Sequence, residues 1–223
     1  DFAGIPIRGN VGLQSVKAKQ FSHGFAWTGK DAVPIGAGKN YTDVLPSLNL
    51  VAEFKGDRYL RLGVAKTLAR PRMEDMRAGF TGIGIDTVSK KWSASGGNPG
   101  LEPWRADSYD ISFEQYFGKR SYVSVAGFTK QLHTFIYNKT IDYDFTGFPN
   151  TTGVVPISNI GTLSAPANGK GGNVDGVELA ASLEANLLTP ALDGFGVIGS
   201  YSQTHSSMNE DNTTSKPLDG LSA

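Results

Sequence analysis

The 223-residue chain contains no cysteine. Disulfide frameworks, thiolate-held zinc and thiol nucleophiles are thereby excluded. It also lacks a charge excess: 21 Lys and Arg balance 21 Asp and Glu, for a formal net charge of +0. A nucleic-acid-binding protein ordinarily carries a basic face, so no nucleic-acid partner is expected. No run of about 18 apolar residues occurs, which rules out a transmembrane helix. Membrane-crossing strands escape that criterion, because only their alternate residues are apolar. Stretches with helical periodicity are scarce. With 28 glycines, this favours an all-β chain rich in turns.

What is present is period-2 alternation. In "YLRLGVAKTLARP" (Tyr59–Pro71), Leu60, Leu62, Val64 and Leu68 fall on one face, with Lys66 as the exception. Arg61, Gly63, Ala65 and Thr67 fall on the other. This is a β-strand with one apolar face, which touches either a protein core or lipid. About seven such strands are expected: Gly9–Ser22, Leu45–Phe54, Arg58–Arg70, Arg105–Phe117, Ser121–Asn138, Asn173–Leu188 and Gly194–Ser206. The less apolar faces carry Arg61, Asp110, Glu114, Glu178 and Glu184.

The connections alternate in length. Lys55–Asp57, Gly118–Arg120 and Thr189–Gly194 are short and built on Gly, Pro or Asp, the residues that favour turns. Phe25–Asn40, Pro71–Trp104 and Lys139–Gly172 are long. If neighbouring strands form antiparallel hairpins, all short turns fall at one end and all long loops at the other. A soluble sandwich has no reason to sort its loops this way. An outer-membrane barrel does, with short periplasmic turns and long extracellular loops. Lys66 is then expected near the outer interface, where a long basic side chain snorkels.

Several segments resemble TonB-dependent outer-membrane receptors. They are "IPIRGNVGL", "YLRLGVAKTLARP" followed by "MEDM", "GNPGLEPWRADSYDISFEQYFGKRSYVSVAGFTK" and "GVELAASLEANLLTPALDGFGVIGSYS". The four occur in the family's order and cover nearly the whole chain. The resemblance implies an antiparallel up-and-down transmembrane β-barrel in the bacterial outer membrane. It is expected here as a partial barrel domain over residues 1–223, with the family's plug domain and C-terminal closing strands absent. It further implies energy-coupled uptake of a small nutrient, such as a ferric siderophore or an oligosaccharide. The implied partners are the lipid bilayer, the receptor's own plug and the TonB system. No cofactor and no catalysis are implied.

Candidate site residues follow. Arg77 lies in "RPRMEDMRAG", an outer-loop segment in which Pro71 and Gly79 are suited to bound a short helix. Trp92 lies in the same long loop, where an exposed indole stacks on a sugar ring or an aromatic ligand. These two are the candidate ligand contacts, set against a purely structural role for the Arg77 segment and against interface anchoring or loop packing for Trp92. Arg61, Asp110, Glu114, Glu178 and Glu184 are expected to face the barrel lumen. His23, His133 and His205 show no metal-ligand spacing, and no catalytic cluster is found. The alternative reading is a soluble β-sandwich that binds glycans. It requires Leu60, Leu62, Leu179 and Leu183 to pack against a second sheet.

Overall fold

A computed structural model describes residues 4–27, 31–118, 120–211 and 215–218. The chain is all-β. In order it forms β1 (Ile7–Trp27), β2 (Ala32–Phe54), β3 (Arg58–Ala69), β4 (Phe80–Ile85), β5 (Trp92–Gly96), β6 (Trp104–Phe117), β7 (Ser121–Asp144), β8 (Ile160–Gly169), β9 (Gly172–Glu184), β10 (Gly196–Asn209) and β11 (Ser215–Lys216). All eleven belong to one sheet. Strands β1, β2, β3, β6, β7, β9 and β10 pair antiparallel as a wall. The sheet does not close, since β1 and β10 lie at opposite ends of the wall.

One edge of β7 is shared by two partners. Its inner half, Tyr122–Leu132, pairs with β9, and its outer half, Phe135–Asp144, pairs with β8. Strands β8 and β9 thus run on along β7, interrupted at Lys170–Gly171. Gly171 has φ +102°, and a Cβ there would lie 2.2 Å from the Leu132 carbonyl oxygen. Only glycine meets both conditions.

Local chemistry sets the tight turns. Phe54 and Arg58 are paired, and the three residues between them turn with positive φ at Gly56 and Asp57. Glycine and, less readily, aspartate tolerate that region. Gly118 does the same before β7. The β9–β10 connection contains two 3-10 turns, Ala185–Leu187 and Pro190–Leu192. Thr189 caps the second by accepting from the Ala191 N–H.

Register divides the wall into two faces. Leu50, Leu62, Ile111, Gly127 and Val177 form one cross-strand row. The adjacent row, Val51, Arg61, Ser112, Ala126 and Glu178, points the other way. The apolar face is uncovered: Leu62 is 39% exposed, Leu179 45% and Leu183 40%. No second sheet packs on it among the described residues, so the sandwich alternative is rejected. Toward the long-loop end this face turns polar. Lys66 Nζ lies 3.4 Å from Asp107 Oδ1, and His133 Nε2 lies 3.0 Å from Asp107 Oδ2.

Three expectations are corrected. The sheet has eleven strands and not about seven, because β4, β5 and β8 arise within the expected loops and β11 follows the last expected strand. The expected loop Phe25–Asn40 is instead largely strand. Strands β1 and β2, of 21 and 23 residues, are about twice the 9–11 residues of a membrane-crossing strand. The expected helix after Pro71 is a single 3-10 turn, Met73–Met76, and Arg77 is already extended.

Candidate functional site

The long connections fold into a cap. Strands β4, β5 and β8 extend the outer half of β7, with β5 and β8 parallel. The apolar core lies here and not in the wall. Ile85, Trp92, Ala94, Phe145 and Leu163 are buried, with Phe80, Ile83, Tyr143, Phe148 and Val154 packed around them. Trp92 and Phe145 stack at 5.5 Å, and Phe145 meets Phe148 at 5.2 Å. Each ring also buries a large apolar area beyond the pair interaction of about 0.5–1.5 kcal/mol.

This packing decides the position of Trp92. Its side chain is 4% exposed, so the expectation that it offers a ring to ligand is corrected. The parallel pairing brings Gly161 against it, where a Cβ would lie 2.3 Å from the Trp92 carbonyl oxygen. Arg77 is half-buried and holds the cap's own backbone. Its Nη2 donates to Thr81 Oγ1 at 2.9 Å and to the Gly96 carbonyl at 3.5 Å.

The cap rests on the outer part of the β1–β2 hairpin. Gln20 Nε2 donates to the Pro99 and Leu101 carbonyls at 3.1 and 2.6 Å. Ser22 Oγ accepts from the Ala78 N–H at 2.9 Å. Trp27 Nε1 donates to the Gly147 carbonyl at 2.5 Å. Gln20 and Ser22 are even-numbered, as are Asn10 and Gln14, and β1 pairs with β2 without a register shift. These two cap contacts therefore fall on the charged face of the wall, whereas Trp27, odd-numbered and at the end of β1, reaches the cap from the opposite parity.

An ionic cluster fastens this contact. Arg105 Nε and Nη2 donate to Asp43 at 2.6 and 3.2 Å, and Nη1 donates to Glu102 Oε2 at 2.7 Å. Lys39 Nζ donates to Glu102 Oε1. The guanidinium also lies 5.8 Å from the Tyr41 ring centroid. Hydrogen bonds from Lys39 and then Arg105 hold the Glu102 carboxyl below the usual range. The Asp43 hydrogen bonds hold the Arg105 guanidinium above its ordinary value. Sequence reasoning missed these four residues. The available signal was Lys39, Tyr41 and Asp43 at period-2 spacing on β2.

Beside the cap, a cleft of about 570 Å³ opens between Arg70–Asp75, β7 and the β10–β11 segment. Trp104 and Tyr137 line it, backed by the buried Phe135 ring at centroid separations of 5.9 and 5.7 Å. Its rim carries Arg70, the Arg72–Asp75 pair and the Lys216–Glu210 pair. Burial, followed by the nearby Glu210 charge, pushes the Tyr137 phenol up. An aromatic wall with a mixed-charge rim suits a small polar ligand with at least one ring. Among the described residues, no group of three or more His, Cys, Asp or Glu is placed to hold a metal.

A family model described as "TonB dependent receptor-like, beta-barrel" matches residues 2–222. The chain belongs to this family. No curated protein matches it. TonB-dependent receptors are outer-membrane receptors and transporters, not enzymes. In this chain, Arg61, Asp110, Glu114, Glu178 and Glu184 share the charged face set by the strand register. Two of them meet: Arg61 Nε and Nη2 donate to Glu114 at 2.8 and 3.2 Å. Tyr116 Oη donates to the same carboxylate at 3.0 Å. Asp110 is near Ser108, whose hydroxyl donates to it at 3.2 Å. Glu178 and Glu184 lie on β9, with Arg120 Nη1 3.8 Å from Glu184.

Proposed function

We propose that this chain is the wall and outer-loop segment of a receptor that captures a small nutrient outside the cell. Import is driven by the inner-membrane TonB complex acting through a plug within the barrel. The observation that carries this reading is the asymmetry of the single sheet. An exposed apolar face lies opposite a charged one, and a folded cap at the long-loop end meets the charged face through Gln20 and Ser22.

The apolar face is then the bilayer face. On β2 it runs from Val44 to Ala52, eight residue steps or about 26 Å along the strand. With the usual strand tilt this approaches the apolar band of about 25 Å in outer-membrane barrels. Arg61, Asp110, Glu114, Glu178 and Glu184 face the lumen, where water and the plug meet them. The open edges at β1 and β10 are paired by the rest of a closed barrel. The cargo, such as a ferric siderophore or an oligosaccharide, first docks in the cleft beside Trp104 and Tyr137. Arg77 serves that site by fixing the shape of the cap.

The test uses cells that produce the full receptor or lack it, grown on a panel of single iron and carbon sources. The expected result is a growth defect on one source, shared by cells lacking TonB, with the protein in the outer-membrane fraction. A protein recovered from the soluble fraction, or the absence of any source-specific defect, contradicts the proposal.

A further inference from the structure

The cleft beside the cap owes its aromatic lining to a β-bulge. Arg105 pairs with Thr134 and Ala106 with Leu132, so His133 is an extra residue on β7. One extra residue exchanges the two faces of a strand. Below His133, the even-numbered Ser124 and Ala126 share the charged face with Glu114 and Ser112. Above it, the odd-numbered Phe135 and Tyr137 turn to that face and meet Trp104, which has the same parity on β6 as Glu114. Bulges that re-aim side chains in this way are over-represented beside functional sites.

The polar groups of the cleft fall into two sets. Its acids are taken: Asp75 accepts twice from Arg72, at 3.0 and 3.1 Å, and Glu210 Oε2 accepts from Lys216 at 2.9 Å. Three donors are open. The Arg70 guanidinium, the Trp104 Nε1–H and the Tyr137 hydroxyl make no hydrogen bond or ion pair among the described residues. A guanidinium presents a planar fork that fits a carboxylate bidentately. Arg72 and Lys216 already have their carboxylates, so the cleft matches a ligand unit with one negative charge. Glu210 Oε1 remains an acceptor for a hydroxyl. The Trp104 indole offers a flat apolar surface to a ring.

We propose that the cleft binds a uronic acid, a sugar ring that carries one carboxylate, as a unit of the captured nutrient. The ring stacks on Trp104 and its carboxylate meets Arg70. Its hydroxyls accept from Tyr137 and donate to Glu210. A neutral sugar leaves Arg70 without an anion. An aromatic acid that lacks hydroxyls leaves Glu210 Oε1 unused, and a multiply charged ferric chelate exceeds the single open cation. The inference rests on the cleft being the place where cargo first docks.

The experiment uses the full receptor in detergent and isothermal titration calorimetry. The probes are trimers of galacturonate, glucuronate and mannuronate, the neutral hexose trimer matching each, and a ferric tris-catecholate. At least one acidic trimer is expected to bind about tenfold or more tightly than its neutral counterpart. Arg70→Gln abolishes that difference and Arg70→Lys restores part of it, whereas Arg58→Gln, at the opposite end of β3, leaves it unchanged. Trp104→Ala weakens acidic and neutral trimers alike; if it fails to fold, the two Arg70 variants carry the test. Binding of no acidic trimer, equal affinity for the neutral counterpart, a preference that survives Arg70→Gln, or tighter binding of the ferric chelate overturns the proposal. Uptake of the same trimers by cells with and without TonB separates the two readings. Acidic preference without TonB-dependent uptake refutes the import reading alone. TonB-dependent uptake of another source, with no acidic trimer bound, refutes only the acidic-sugar site.

Discussion

Replacing Arg105 with methionine should release the cap from the β1–β2 hairpin while leaving the wall intact. The substitution removes three charge-assisted hydrogen bonds, two to Asp43 and one to Glu102. It keeps most of the aliphatic stem and its packing. Arg105 and Asp43 are 25% and 14% exposed, between the regimes of surface and buried pairs. Exposed pairs contribute about 0–1 kcal/mol, and breaking a buried pair costs about 3–5 kcal/mol. A loss of about 2–3 kcal/mol is expected, because Asp43 is left without its cation while Glu102 keeps Lys39. The assay is hydrogen exchange on the full receptor in detergent. The Leu101 N–H, bonded to the Asn98 carbonyl at 3.2 Å, should exchange about 30- to 150-fold faster. Amides in the β3–β6 ladder should not change. A change at Leu101 below about threefold, or equal acceleration across the wall, refutes the reasoning. A cycle with Asp43→Asn should show that the two losses do not add.

Three further outcomes are expected. Acid should loosen the same contact: the Glu102 carboxyl is held below its ordinary value of 4.5, so its contribution is full above that value and disappears as pH falls through the lower folded value. Cap stability measured between pH 3 and 6 should drop at the acid end, and Glu102→Gln should flatten that dependence. Leu179→Arg should destabilise the receptor in bilayers by about 2–4 kcal/mol, while Ala180→Arg, one residue along on the charged face, should change it by less than about 1 kcal/mol; equal effects in urea refolding contradict the face assignment. Trp92→Ala should cost about 3–5 kcal/mol of cap stability, seen as cap proteolysis, and a variant that loses ligand affinity with the cap intact would reverse the finding that Trp92 is core.

The wall was legible because its physics is local. Alternation in β3, β6 and β9 identifies the faces, and Gly56, Gly118 and Gly194 with their positive φ punctuate one end. The tall hairpin was not legible. Pro34, Gly36 and Gly38 read as loop, yet a Cβ at Gly38 would lie 2.1 Å from the Gln20 carbonyl oxygen. That glycine marks close cross-strand approach, which alternation within one segment does not reveal. The cap was hidden for a related reason. β5 has five residues, too few for periodicity, and its parallel partner β8 lies far along the chain. Trp92 is buried because residues of another loop, Phe145 and Leu163 among them, join it in one cluster. Of the site residues, the five charges on the wall followed from alternation, whereas the Lys39–Asp43–Glu102–Arg105 cluster depends on how distant loops meet.

The division of the wall into a lipid face and a lumen face is tested most directly on β3. Nitroxide labels placed singly from Tyr59 to Lys66 in the full receptor, reconstituted in bilayers, report collisions with oxygen and with a water-soluble nickel chelate. Labels at Leu60, Leu62 and Val64 should favour oxygen, and labels at Arg61, Gly63 and Ala65 should not, in strict alternation. Uniform accessibility along the strand, or nickel access at Leu62, would contradict the assignment.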